Sequence, residues 1–265
     1  MTKVNQTGMD EKTITKSQLT ETFKELNIAK EDLLIIYGDL SQSNHVIGGS
    51  QSVIEALYEE LEGHATIVMP AHSTGQTCPT FFNEALSPEQ LTYLKDQIPA
   101  FNKELTTISS GELAKTFAIN NQVSRSEHPI TSFLALGRKS EWVLSNHSLD
   151  SMFGEKSPLQ KLYAQGAKIL CLDTDYQSIT ALHYMEAVAN CRQLRTHEAI
   201  INEKGERAHV EFEDLDYNSK DFNEIGRHFE ESKNVLISTA GTAICRLIDF
   251  REIIDFGAEY LTKNN

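Results

Sequence analysis

Lys168-Ile169-Leu170-Cys171-Leu172-Asp173-Thr174-Asp175-Tyr176-Gln177-Ser178-Ile179-Thr180-Ala181-Leu182-His183-Tyr184-Met185-Glu186 is the stretch on which the fold turns. Residues 169–172 are apolar, long enough for a buried strand and too short for a helix. Residues 173–177 are polar and form the loop that follows. Ser178 or Thr180 is expected to cap a helix, its side-chain oxygen accepting a free backbone N–H of the first turn. Leu182, Met185 and Ala189 then recur at helical spacing as a buried stripe. His183 and Glu186, three apart, lie side by side on a neighbouring face. The stretch is a strand, a polar loop and a helix, and in α/β proteins ligands gather at the carboxyl ends of such strands.

This order puts His183 in the first helical turn, where the positive end of the helix disfavours imidazolium. A neutral imidazole can act as a general base. Glu186 can accept a hydrogen bond from the other ring nitrogen or hold a cationic group of a substrate. The spacing alone favours a surface His–Glu pair on an amphipathic helix, since such pairs are common.

Working outward, Thr15 and Gln18 form a capping box for a helix through Leu26. A strand at residues 33–37 precedes a loop ending in Gly48-Gly49-Ser50, and Val53, Ile54, Leu57 and Leu61 mark a helix beyond it. Glycines before a helix N-terminus let backbone N–H groups face a phosphate, although this is neither a Walker loop nor a Rossmann fingerprint. Residues 65–69 are a second strand ended by Pro70, and residues 72–87 a long polar loop containing Cys78-Pro79. Short helices are expected at 88–96, 111–118, around Trp142 and at 158–164, with Trp142 packed. Strands follow at 132–136, in a hairpin at 198–202 and 207–212 joined around Lys204-Gly205, and at 235–239. Helices at 221–231 and 253–261 close the chain. Glu213-Asp214-Leu215-Asp216 is either an acidic rim for substrate ammonium groups or a solvated loop.

Composition bounds the function. The chain has 265 residues, 40% hydrophobic and 23% charged, as expected of one globular α/β domain over residues 1–265. A formal net charge of −14 argues against nucleic acid as a partner. It attracts polycationic amines and repels anions, and it also serves solubility alone. No apolar run reaches membrane-spanning length, and residues 1–10 lack the apolar core of a signal peptide, so a cytoplasmic protein is expected. Cysteines at 78, 171, 191 and 245 form no Cys-x-x-Cys pair, and no His-Glu-x-x-His occurs, so no metal is expected.

Five segments in order resemble the aminoglycoside N3-acetyltransferase family. Thr180-x-Leu182-His183-x-x-Glu186 after an apolar strand is similar to its catalytic segment. Val68-Met69-Pro70-Ala71-His72-Ser73 resembles its Val-Met-Pro-Thr-His-Ser, and Arg125-Ser126-Glu127-His128-Pro129 with Ser132-Phe133 resembles Arg-Ser-x-His-Pro-x-x-Ser-Phe. Gly154-Glu155-Lys156-Ser157-Pro158-Leu159 resembles Gly-Glu-x-Ser-Pro-Leu, and residues 221–226 resemble a Phe-x-x-Ile-Gly segment. Two places depart from the family: Tyr37-Gly38-Asp39-Leu40 stands where His-Ser-Ser-Leu is usual, and Ile179 replaces a polar residue before the Thr.

The resemblance implies a mixed sheet flanked by helices, unlike the GNAT acetyltransferases. It implies an acetyl-CoA-dependent N-acetyltransferase acting on the 3-amino group of 2-deoxystreptamine in aminoglycoside antibiotics, hence an antibiotic-resistance activity. His183 would be the general base, Glu186 its orienting partner or an ammonium ligand, and the Thr180 hydroxyl or a nearby backbone N–H the oxyanion donor. Gly48, Gly49, Ser50, His72, Ser73, Arg125 and His128 would contact the cofactor. Asp214, Asp216 and Glu224 would receive substrate ammonium groups. An acyltransferase of this fold for another amine and a non-catalytic CoA-fold binding protein stay open, as does a homodimer.

Overall fold

The structure, a computed structural model, describes residues 10–38, 40, 44–73, 75, 85–233 and 235–264. In chain order the elements are β1 (Thr13–Ile14), α1 (Lys16–Glu25), β2 (Leu33–Gly38), β3 (His45–Val46), α2 (Gly49–Leu61), β4 (Thr66–Pro70), α3 (Pro88–Gln97), α4 (Glu112–Ala118), β5 (Ser124–Arg125) and β6 (Phe133–Leu136). After them come α5 (Ser140–Leu144), α6 (Pro158–Ala164), β7 (Lys168–Leu172), α7 (His183–Ala189), β8 (Leu194–Glu203), β9 (Glu206–Leu215), α8 (Phe222–Ser232), β10 (Leu236–Ala240), β11 (Ala243–Asp249) and α9 (Phe250–Asn264).

Seven strands form a mixed sheet in the order β10-β11-β7-β2-β4-β6-β5. Its centre is parallel, β7 and β4 flanking β2, and its outer strands are antiparallel. The apolar runs alternate across the sheet, so each central strand feeds two cores. Leu33, Ile35 and Tyr37 face a core completed by α6, α7, α8 and α9, whereas Leu34 and Ile36 face one completed by α1, α2 and α4. The helix after β2 and the helix before β7 therefore lie on opposite faces. Such a divergence opens a crevice at the carboxyl ends of the strands.

The local signals are visible in the caps. Thr15 accepts from the Gln18 backbone N–H while the Gln18 side chain accepts from Thr15 N–H, the reciprocal box that starts α1. Ser157 caps α6, with Pro158 in its first turn and Gly166 (φ 64°) after its end. The hairpin β8–β9 turns on Lys204 and Gly205, both with positive φ, and is longer at both ends than its alternation suggested.

Several expectations need correction. Neither Ser178 nor Thr180 caps a helix. Asp175 caps a short 3-10 turn, Tyr176–Ser178, by accepting from Ser178 N–H, a second turn Thr180–Leu182 follows, and α7 begins at His183. The Asp175 carboxylate reaches the turn first, leaving the Thr180 hydroxyl for other partners. Strand β11 was missed, although it inserts antiparallel between β10 and β7; its alternation ends in the adjacent buried pair Leu247-Ile248. Trp142 is 44% exposed, with the Lys161 ammonium 5.8 Å from its ring centroid. Cys78, Asp39 and residues 74 and 76–84 of the expected binding loop lie outside the described residues. Among the described residues no helix is long and apolar enough to cross a membrane.

Candidate active site

The carboxyl ends of β2, β4 and β7 converge on a cavity of about 730 Å³. β2 contributes Tyr37 and Gly38, the segment after β4 contributes His72, and the loop after β7 contributes Asp173, Asp175 and Thr180. Gly38 has φ 131°, and a Cβ there would lie 1.9 Å from the Leu172 carbonyl oxygen, so β2 and β7 meet here only because the side chain is absent. Asp173 occupies the left-handed region (φ 50°), with its carboxylate accepting from Ile244 N–H and the Asn44 amide. Among the described residues lining the cavity there is neither Lys nor Arg.

Beside the cavity, His183 opens α7. Its Nδ1 lies 2.6 Å from Glu186 Oε2. A carboxylate only accepts, so Nδ1 carries the hydrogen and the lone pair of the neutral ring falls on Nε2. Among the described residues no protein group bonds to Nε2. The ring is held between Phe153, Tyr217 and Phe222, with centroids 4.9, 5.3 and 5.0 Å away. Phe153 also contacts the His72 ring at 5.7 Å, so it stands between the two imidazoles.

Glu186 is fully buried. Besides His183 it takes the Arg192 guanidinium and accepts from the Asn218 backbone N–H at 3.1 Å. With both oxygens engaged and no exposed surface, it is placed to orient the imidazole rather than to meet a substrate ammonium. Arg192 is a site residue the sequence did not single out. It lies six residues beyond Glu186, where the chain has already left α7, so helical spacing carries no signal of the contact.

The remaining expected residues divide sharply. His72 lines the cavity; burial pushes its ring down to about 3, helped by the nearby His183 and His147 rings when protonated and by Arg125. Gly49 and Ser50 border a smaller cavity of about 130 Å³ that shares Gly38 and Leu113 with the larger one. Gly48 precedes α2 in the left-handed region (φ 83°), and no side chain caps the helix.

Arg125 belongs to the scaffold. Nε donates to Ser132, Nη1 to the Thr106 and Lys103 carbonyls, and Nη2 to the Ala71 carbonyl and the Ser73 hydroxyl, which uses all five N–H groups. Burial lowers the guanidinium to about 10, and it has no donor left for a phosphate. Ser73 is buried beneath it. His128 is also enclosed: Nδ1 accepts from the Ile130 and Thr131 N–H groups and Nε2 donates to the Leu149 carbonyl. The Arg-Ser-x-His-Pro segment thus ties the β5–β6 edge together, with Arg125 and His128 engaged by the chain around them.

The expected acidic rim fares similarly. Asp214 is buried and accepts from the Met152 and Leu215 N–H groups and the Tyr217 hydroxyl. It fixes the Phe153 segment and the Tyr217 ring that hold His183. Asp216 pairs with Arg195 at 3.1 Å, Glu224 accepts from the Tyr260 hydroxyl, and neither lines the cavity. The carboxylates that do line it, Asp173 and Asp175, had read only as a polar loop. Among the described residues no group of three or more His, Cys, Asp or Glu is placed to hold a metal ion.

Known proteins place this architecture. The family model described as aminoglycoside 3-N-acetyltransferase matches residues 35–262. The SPbeta prophage-derived aminoglycoside N(3')-acetyltransferase-like protein YokD of Bacillus subtilis (strain 168) is 32% identical over 254 residues, covering 95% of this chain and 93% of that one. Its crystal structure superposes with a TM-score of 0.90 over 95% of this chain and 94% of that chain. Aminoglycoside N(3)-acetyltransferase III of Salmonella sp is 27% identical over 279 residues, covering 94% and 92% of the two chains. A structure of AAC-IIIb in a binary complex with CoASH shares the fold at 24% identity, with a TM-score of 0.83 and coverage of 95% and 97%. The chain belongs to the aminoglycoside 3-N-acetyltransferase family.

Proposed function

We propose that the protein transfers the acetyl group of acetyl-CoA directly to an amine of an aminoglycoside, at the 3-amino group of its 2-deoxystreptamine ring. The observation that carries this reading is the His183–Glu186 pair, with Nδ1 held by a buried carboxylate and Nε2 left open beside the cavity. The amine nitrogen attacks the thioester carbonyl, forming the C–N bond and a tetrahedral oxyanion while its proton passes to His183 Nε2; collapse of the oxyanion breaks the C–S bond, and the departing thiolate takes that proton. The Thr180 hydroxyl on the cavity wall is the oxyanion donor. The Gly48-Gly49-Ser50 start of α2 offers uncapped N–H groups to the CoA pyrophosphate. Asp173 and Asp175, with no Lys or Arg among the described lining residues, suit an ammonium-bearing acceptor. The relatives' named activity supports the same substrate class.

His72 is the other imidazole at the cavity, and it is the poorer base. A ring that titrates near 3 holds a proton roughly three orders of magnitude more weakly than an ordinary imidazole. Acetyl-CoA turnover across an amine panel, with mass spectrometry to locate the acetyl group, tests the reaction. His183→Ala should lower kcat by roughly 10² or more with acetyl-CoA affinity little changed. A folded His183→Ala protein with undiminished kcat, where chemistry limits the rate, would rule this base out.

A further inference from the structure

We infer that Tyr37 is a positioning residue for acyl transfer, its hydroxyl aiming the Thr180 hydroxyl at the thioester carbonyl; the inference rests on the reaction proposed above.

The Tyr37 oxygen lies 2.8 Å from the Ala181 backbone nitrogen and 3.0 Å from Thr180 Oγ1. An amide N–H can only donate, so Tyr37 accepts there and keeps its single phenolic proton to donate; in the inferred arrangement that proton goes to Thr180. Burial raises the phenol far above its ordinary value, so that proton stays in place. Thr180 Oγ1, accepting from Tyr37, keeps its own proton to donate. Its other described partner is His72 Nε2 at 3.4 Å, a long contact for an O–H donor.

Thr180 therefore presents a weakly engaged proton at the cavity wall. The chain from Ala181 N–H through Tyr37 to Thr180 polarises that hydroxyl in one direction. A donor set before charge develops stabilises the oxyanion without reorganising during the step. No proton leaves Tyr37 or Thr180; both donate hydrogen bonds throughout. Without Tyr37 the Thr180 hydroxyl could turn back toward the Ala181 region instead of the carbonyl.

The test is a double-mutant cycle with Tyr37→Phe, Thr180→Val and both together, read by steady-state kinetics with circular dichroism as the check on folding. Tyr37→Phe should lower kcat about tenfold, with little change in either KM. Thr180→Val should cost roughly 10², as for an oxyanion donor. In the Thr180→Val background, Tyr37→Phe should cost less than about twofold, because its route to the chemistry is already gone. Thr180→Ser should keep most of the activity and remain sensitive to Tyr37→Phe. A Tyr37→Phe protein with wild-type kcat, or a loss that persists undiminished in the Thr180→Val background, overturns the inference and leaves the reaction standing. A wild-type protein with no acetyl transfer to any amine overturns the reaction and the inference with it.

Discussion

At the scale of the residue, the centre of the site is the carboxylate of Glu186 and not only the imidazole it serves. A buried carboxylate is tolerated only when its oxygens are satisfied, and here His183, Arg192 and the Asn218 N–H do so. Removing one partner of a buried pair leaves the other uncompensated, at a cost of about 3–5 kcal/mol. Glu186→Gln keeps a hydrogen-bond acceptor but not the charge, so Arg192 loses its ion pair and His183 its strongest orienting contact. We predict a kcat lowered by one to two orders of magnitude with the amine KM almost unchanged, since Glu186 has no exposed surface. Steady-state kinetics with varied amine would reveal a dominant rise in KM if Glu186 instead held an ammonium. Cys171 completes the residue scale: burial pushes its thiol up to about 12, which suits a core side chain and not an acyl carrier.

At the scale of the element, the site depends on how closely β2 and β7 meet at their carboxyl ends. Gly38 pairs with Leu172 in the sheet, and its absent side chain is what lets Tyr37 reach across to Thr180. Gly38→Ala would place a methyl against backbone that has no rotamer to give, at a φ of 131° that alanine adopts only with strain. The expected result is a loss of about 2 kcal/mol or more and a melting temperature several degrees lower, with kcat reduced even below the transition. An unchanged melting temperature in calorimetry would mean that the strands can part freely and that their contact does not set the site.

At the scale of the molecule, buried histidines tie stability to pH. Burial holds His72 at about 3 and His147 at about 4, and it lowers His128 well below the ordinary imidazole value. In the unfolded chain each titrates near 6.5. Below that pH the unfolded state binds protons that the native state refuses, so stability is complete above about 6.5 and falls as pH drops toward the folded values. Each such group costs about 1.4 kcal/mol per pH unit in that window, and three together approach 4 kcal/mol per unit. Against a typical total of about 5–15 kcal/mol, the protein should lose most of its stability between pH 6.5 and about pH 4. Urea denaturation at pH 7, 6 and 5 is the check, and equal midpoints at all three would contradict the prediction.

What local sequence determined was which segments are buried and where helices begin. The apolar runs of β2, β4 and β7, the Thr15–Gln18 box and the Ser157-Pro158 start act over a few residues, so pattern alone reveals them. His183 and Glu186 were also within its reach, because three residues along a helical turn always bring side chains together. Tertiary structure alone decided the rest. Tyr37 and Thr180 are 143 positions apart and meet because β2 lies beside β7. Arg125 and His128 looked free to meet a cofactor, but Arg125 spends every donor on the chain around it and His128 is fully enclosed. Asp214 read as a rim charge and became a buried acceptor behind Phe153 and Tyr217. Periodicity says whether a side chain turns inward. Which groups await it there, and whether any of its hydrogen-bonding capacity remains for a ligand, depends on strand order and packing.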